Sequence, residues 1–206
     1  MARALVVVNT LPYGRGMPPH LTPEDWIAAA FRRLGREGIA AVRVEAVARE
    51  LGVSKGSFYW HFTDLSDLRR RMLDHWHRQA SARILAMADA AGEGARERLS
   101  RLMELATSDL DAPYGGYAAE AAIRDWARND PEAAEAQQRA DALRLGYLQG
   151  LFAGAGASDP NRAARLVLMC YTGAIHLGTG DRGQLAGDLK ALLAALLDRP
   201  EPKGQD

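Results

Sequence analysis

The side chains best equipped for chemistry lie in one stretch, VEAVARELGVSKGSFYWHF, from Val44 to Phe62. Lys55, Ser57, Tyr59, Trp60 and His61 bring an ammonium group, two hydroxyls, an indole and an imidazole into one short run. Phe58, Tyr59, Trp60, His61 and Phe62 cannot all face inward on a single short helix, so part of the run must be exposed. An exposed Tyr-Trp-His run is unexpected on a surface that has no partner.

The competing chemistries are weaker. Gly52-Val53-Ser54-Lys55-Gly56 matches the hydrolase pattern G-x-S-x-G, but that elbow needs a strand before it, and a helix precedes it here. Gly178 to Gly183 matches G-x-G-x-x-G without a leading strand or a βαβ unit, and reads better as a flexible connection. His75 and His77 are two apart and point to different helical faces, a poor metal pair. The single cysteine, Cys170, excludes an internal disulfide and a Cys-rich zinc site, and fits a reducing cytoplasm. No catalytic residue, metal site or cofactor is assigned, and the chain is not read as an enzyme.

The elements that would carry the Val44–Phe62 stretch can be read from its spacing. Val44, Val47, Ala48 and Leu51 share one helical face. Gly52 stands where a chain leaving a helix needs positive φ, and Ser54 offers a hydroxyl to cap the next helix. Phe58 and Phe62, four apart, anchor that second helix to the first. Two short helices crossing over a tight Gly turn form a helix-turn-helix, whose second helix can enter a DNA major groove. Upstream, Thr22-Pro23-Glu24-Asp25 opens a supporting helix with a cap, a first-turn proline and acids at its positive end. Its buried stripe is Ile27, Ala30, Phe31 and Leu34, with Gly35 and Gly38 bracketing its end.

Length and composition allow an ordinary globular chain of one or two domains: 206 residues, 48% of them hydrophobic. Abundant Ala, Leu and Arg favour helix. Charge does not argue for a nucleic-acid partner, since Lys+Arg and Asp+Glu both count 26. Over residues 22–77 nine cationic side chains face eight acidic ones. No apolar run approaches the ~18 residues of a membrane span, and Ala4–Val8 is too short for a signal-peptide core.

The remaining chain reads as successive helices. A long one runs from Asp64 through about Ala90, with Leu65, Leu68, Met72, Trp76, Gln79 and Arg83 along one face. Gly92-Glu93-Gly94 breaks the pattern, and a helix over residues 95–109 comes next, with Leu99, Leu102, Met103 and Ala106 inward. After a loop over Asp111–Gly116, another helix carries Ile123 and Trp126. Asp130-Pro131 and Asp159-Pro160 mark two further helix starts by cap and first-turn proline. The second of these carries Leu166, Met169, Cys170, Gly173 and Leu177, and a last helix runs from Gln184 to Leu197. Residues 1–20 are read as a flexible extension and 200–206 as a loose tail.

The stretch GVSKGSFYWHF, with a helix before it and a long helix after, resembles the DNA-binding head of the TetR family of bacterial transcriptional regulators. From Thr22 to about His77 the family pattern is matched closely, and Arg124-Asp125-Trp126-Ala127-Arg128-Asn129-Asp130-Pro131 is similar to a segment in the ligand-binding half of some members. The resemblance implies an all-α chain with a three-helix head over 21–68 and a helical ligand-binding and dimerisation body over 69–199. It implies DNA contacts by Arg43, Ser54, Lys55, Gly56, Ser57, Tyr59, Trp60 and His61, with Ser57 and Trp60 toward bases and Tyr59 and His61 toward phosphates. Arg43 stands where a Thr or Ser cap is common, and Leu65 where a basic residue usually holds the DNA backbone. The last two long helices are expected to pair with a second copy. Candidate pocket residues are Met103, Tyr114, Tyr117, Trp126, Tyr147 and Met169, for a largely apolar small molecule. The implied function is a ligand-responsive regulator, a repressor released from a roughly palindromic operator by its effector; an activator with the same head, or a helical small-molecule binder that no longer binds DNA, are the alternatives.

Overall fold

The computed structural model describes residues 21–90, 92, 94–108, 112–178 and 181–197; the N-terminal extension and the C-terminal tail lie outside them. Every regular element among the described residues is helical. Helix α1 (Pro23–Glu37) begins with the expected cap: Thr22 Oγ1 accepts from the Asp25 N–H at 3.3 Å, and Thr22 N–H donates back to Asp25 Oδ2 at 2.8 Å. Such a cap contributes about 1 kcal/mol. The predicted stripe is buried, joined by Trp26 and Ala29.

Helices α2 (Val44–Glu50) and α3 (Lys55–Phe58) form the helix-turn-helix. The turn depends on Gly52, at φ +70°. The Phe58 and Phe62 rings stack at 5.1 Å, and Trp26 of α1 meets Phe58 edge-on at 5.4 Å. The expected Ser54 cap is not made. With a single turn, α3 closes through the Ser54 carbonyl, which accepts from the Ser57 N–H at 3.0 Å and leaves the hydroxyl no cap to form.

The long helix predicted from Asp64 is three pieces end to end: α4 (Leu65–His77), a π-helical segment Arg78–Arg83, and α5 (Ile84–Asp89). A π segment loosens the i→i−4 ladder and rotates the facing of the turns beyond it, which an apolar repeat does not reveal. Helix α6 (Ala95–Ala106) stops short of residue 109, and Ala106 is half-buried, not core. Then come α7 (Gly116–Trp126), α8 (Pro131–Gly154), α9 (Pro160–Leu177) and α10 (Arg182–Leu197). Asp130 and Asp159 cap α8 and α9 as expected.

Two apolar cores result. One joins Trp26, Phe31, Phe58 and Phe62 to Ile123 and Trp126 of α7 and to Ala133, Ala136 and Ala140 of α8. It therefore runs past residue 68 and ties the head to the body. A Cβ on Gly35 would lie 3.2 Å from the Ala118 Cβ, so glycine permits the close approach of α1 to α7. The other core, among α5, α6, α9, α10 and the later part of α8, buries aliphatic side chains with Met103 and Phe152, and Tyr117, Tyr147 and Tyr171 pack against it. On α9 the buried residues are Ala163, Ala164, Val167 and Ile175. The row read there from sequence is split: Cys170 packs against this core, while Met169 is 59% and Leu177 78% exposed.

Candidate functional site: a nucleic-acid interface and a body cavity

Once Phe58 and Phe62 are spent on the core, the outer side of α3 and its exit is fixed. Tyr59 is 53% and Trp60 87% exposed. Lys55 and Gly56 are exposed, Ser57 and His61 half-buried. A Cβ on Gly56 would meet nothing closer than Ser54 Oγ at 3.6 Å, so its backbone is open to close approach. Lys55 Nζ donates to Glu45 Oε1 at 2.5 Å, which draws the lysine pKa up and the glutamate pKa down. Arg43 heads α2 without capping it; its Nε donates to the Ala40 carbonyl at 3.0 Å.

The other cations of the head are largely occupied. Glu50, closing α2, pairs with Arg36 at 2.6 Å, Arg32 at 3.0 Å and Arg33 at 3.7 Å, all on α1. Arg70 and Arg71 hold the buried Asp67 at 2.7 and 3.1 Å. Leu65, in place of a basic residue, packs half-buried against the head core. The outer side of α3 and its exit is thus set by hydroxyl and aromatic groups more than by net charge.

In the body the structure reveals a buried polar cluster that sequence reasoning missed. Glu120 of α7 accepts from Trp76 Nε1 of α4 at 2.9 Å, from Arg124 at 3.1 Å, and from both Nη atoms of Arg144 of α8 at 2.8 and 3.2 Å. Arg124 also grips Asp141 with both Nη atoms, at 2.9 and 2.6 Å. Burial alone would raise the Glu120 pKa, but Arg144 and Arg124, with the Trp76 N–H, bring it down to about 2. The Glu120–Arg124 spacing of one helical turn was legible, but partners 24 and 44 positions away were not.

Beside this cluster lie two small cavities. One, of about 50 Å³, is walled by Phe31, Trp76, Tyr114 and Glu120, with Gln79 and Arg83 of the π segment at its edge. The second, of about 60 Å³, is aliphatic, between Leu102, Met103, Leu148, Val167 and Leu189, with Arg144 at one side. Both touch Ile84, Ala106 and Tyr171. Of the six candidate pocket residues, Tyr114 lines the first cavity and Met103 the second. The other four are elsewhere. The Tyr117 hydroxyl donates to the Ala106 carbonyl at 3.0 Å; Tyr147 donates to Asp89 at 2.7 Å; Trp126 is buried in the head-side core; Met169 is exposed. Among the described residues no cluster of His, Cys, Asp and Glu can hold a metal, and no helix is long and apolar enough to cross a membrane.

This head, on this body, defines a class. Residues 27–72 match the family model of the bacterial regulatory proteins of the tetR family. A TetR-family transcriptional regulator from Streptomyces coelicolor has the same fold, with a TM-score of 0.66 at 20% identity over 85% of this chain and 89% of that one. FadR of Bacillus subtilis, solved with stearoyl-CoA, gives 0.67 at 16% identity, over 86% and 98%. A transcriptional regulator from Saccharomonospora viridis, solved with choline, gives 0.66 at 21% identity, over 83% and 94%. No curated protein matches the chain. The resemblance to the TetR family is borne out: the head matches that family's model, and the described chain has the all-helical fold of its regulators.

Proposed function

We propose that this chain is a ligand-responsive transcriptional repressor that binds a roughly palindromic operator as a dimer and leaves it when a small molecule enters the body. One observation carries the reading: a head that buries Phe58 and Phe62 in its core still leaves Tyr59 and Trp60 exposed at the exit of α3, the helix that a helix-turn-helix presents to DNA. Residues 21–68 are its DNA-binding unit and 69–199 its ligand-binding and dimerisation unit. The DNA contacts are Arg43, Ser54, Lys55, Gly56, Ser57, Tyr59, Trp60 and His61. Met169 and Leu177 on α9, with the exposed Ala191, Ala194 and Ala195 of α10, supply the face for a second copy. Paired heads then meet two half-sites. The ligands in the fold's choline- and stearoyl-CoA-bound members support a small-molecule effector here.

The test is titration against the protein's own upstream DNA and an unrelated fragment at several salt concentrations. Specific binding exceeds non-specific binding by ~10³ or more, and both weaken as salt rises. The double variant Tyr59→Phe, His61→Ala loses operator binding with helix content unchanged. Equal binding of both fragments, or full operator binding by the variant, overturns the assignment.

A further inference from the structure

The two body cavities adjoin across Ile84, Ala106 and Tyr171, and they differ in chemistry. The aliphatic one offers a ligand only hydrocarbon contact along most of its wall. The other presents His75, Gln79, Arg83 and Glu120. These four decide what head group it takes.

Glu120 is the one anion among them, and it is used up. An ionised carboxylate has about four acceptor positions, and Trp76, Arg124 and the two nitrogens of Arg144 occupy four. A cationic head would find no free lone pair there. Trp76 is engaged as well, with the Arg144 guanidinium 5.4 Å from its ring centroid. The polar groups still available favour the opposite sign. Arg83 stands exposed at the rim and donates to the uncharged Gln79 Oε1 at 3.1 Å; among the described residues it has no carboxylate partner. His75 is 6% exposed, its ring 4.3 Å from that of Tyr114, and its Nε2 is buried with no hydrogen-bond partner among the described residues. A buried polar atom without a partner in a close-packed protein calls for an explanation, and a ligand supplies one. Burial, with Arg78 nearby, lowers the His75 pKa, so the ring is neutral and Nε2 can carry the proton it would donate. The π-helical segment brings Gln79 and Arg83 to the same edge, and such segments are frequent at functional sites.

We propose that the paired cavities form one site for an acidic amphiphile: its carboxylate is held by Arg83, Gln79 and His75, and its hydrocarbon part passes Tyr171 into the aliphatic cavity. This names the effector class of the regulator proposed above and takes its regulatory meaning from that reading, but binding can be measured without DNA.

The probes are octanoate, octanol and octyltrimethylammonium, titrated into the full chain by calorimetry. Octanoate binds tightest. Arg83→Gln, on an exposed side chain that leaves folding intact, weakens octanoate about tenfold, the loss of one charge-assisted contact, and changes octanol less than about twofold. Ala106→Leu, which fills the junction of the cavities, reduces binding of both. A preference for octyltrimethylammonium, octanoate binding indifferent to Arg83→Gln, or no octanoate binding at all overturns the proposal. The two readings fail separately. Operator binding with no octanoate binding leaves the regulator standing and removes the acid site. Octanoate binding by a chain that recognises no operator keeps the site and removes the regulator.

Discussion

The two apolar cores are built to different standards. Around the head, Trp26, Phe31, Phe58 and Leu34 are at most 2% exposed, the Phe58 ring meets Trp26 at 5.4 Å and Phe62 at 5.1 Å, and alanines fill the gaps between α1, α7 and α8. In the body, leucines, a methionine and a valine leave the aliphatic cavity open beside them, and the other cavity opens at the seam, with Phe31 and Trp76 of the head core in its wall. Close packing forces one arrangement, because any shift costs contacts on every side. A core with voids yields more cheaply. The contrast suits the proposed regulator, which would present a fixed surface at one end and admit a guest at the other, and the Glu120 cluster stands where the two cores meet.

The largest expected effect comes from breaking that meeting point. Glu120→Ala leaves the buried Arg124 and Arg144 with Asp141 as the carboxylate beside them and takes the acceptor from Trp76. The loss is about 3–5 kcal/mol in thermal or denaturant unfolding. The exposed Lys55–Glu45 pair is the control, and its removal leaves the melting temperature unchanged.

Acid should act through the same cluster. With a pKa of about 2 in the folded chain against an ordinary 4.5, Glu120 contributes stability that is complete above pH 4.5 and lost as pH falls toward 2. The contribution is on the order of 3 kcal/mol. His75, whose pKa burial lowers from 6.5, works in the same direction from a higher pH, since the unfolded chain takes up its proton first. Urea midpoints measured from pH 7 downward should fall, and the fall below pH 4.5 should be smaller in Glu120→Gln, where Asp25, Asp67 and Asp130, whose pKa values are also lowered, still contribute. A flat profile would remove the cluster from the stability account.

A smaller effect sharpens the packing contrast directly. Ala30→Leu forces methylenes into a filled core and costs about 1–3 kcal/mol. Ala106→Leu enters space that is already empty and costs less than about 1 kcal/mol. Equal penalties would mean that the cavities close easily and that the two cores do not differ.

Local order was the part of the molecule most open to sequence reasoning. The Thr22 cap, the Gly52 turn, the Phe58–Phe62 anchor and the two Asp-Pro starts each depend on residues within a few positions of one another, and each is present. What escaped depends on distance or on competition. The π segment has no periodic signature. The Ser54 hydroxyl lost its place to its own carbonyl. Trp126 has the composition of a pocket wall, yet packs with the head, because Gly35 lets α1 come close to α7. On α9, Met169 and Leu177 turn outward, as the expected pairing face would, while Cys170 of the same row packs inward.

The four tryptophans sit in unlike surroundings: Trp26, Trp76 and Trp126 are buried, and Trp60 alone is exposed. Their emission separates accordingly. A water-soluble quencher reaches Trp60 first, and under the proposed function DNA laid across α3 and its exit shields it. Trp76, hydrogen-bonded to Glu120 at the cavity wall, responds to whatever fills that cavity. The chain thus carries its own two-channel optical reporter, one channel for each end of the molecule, with no label attached.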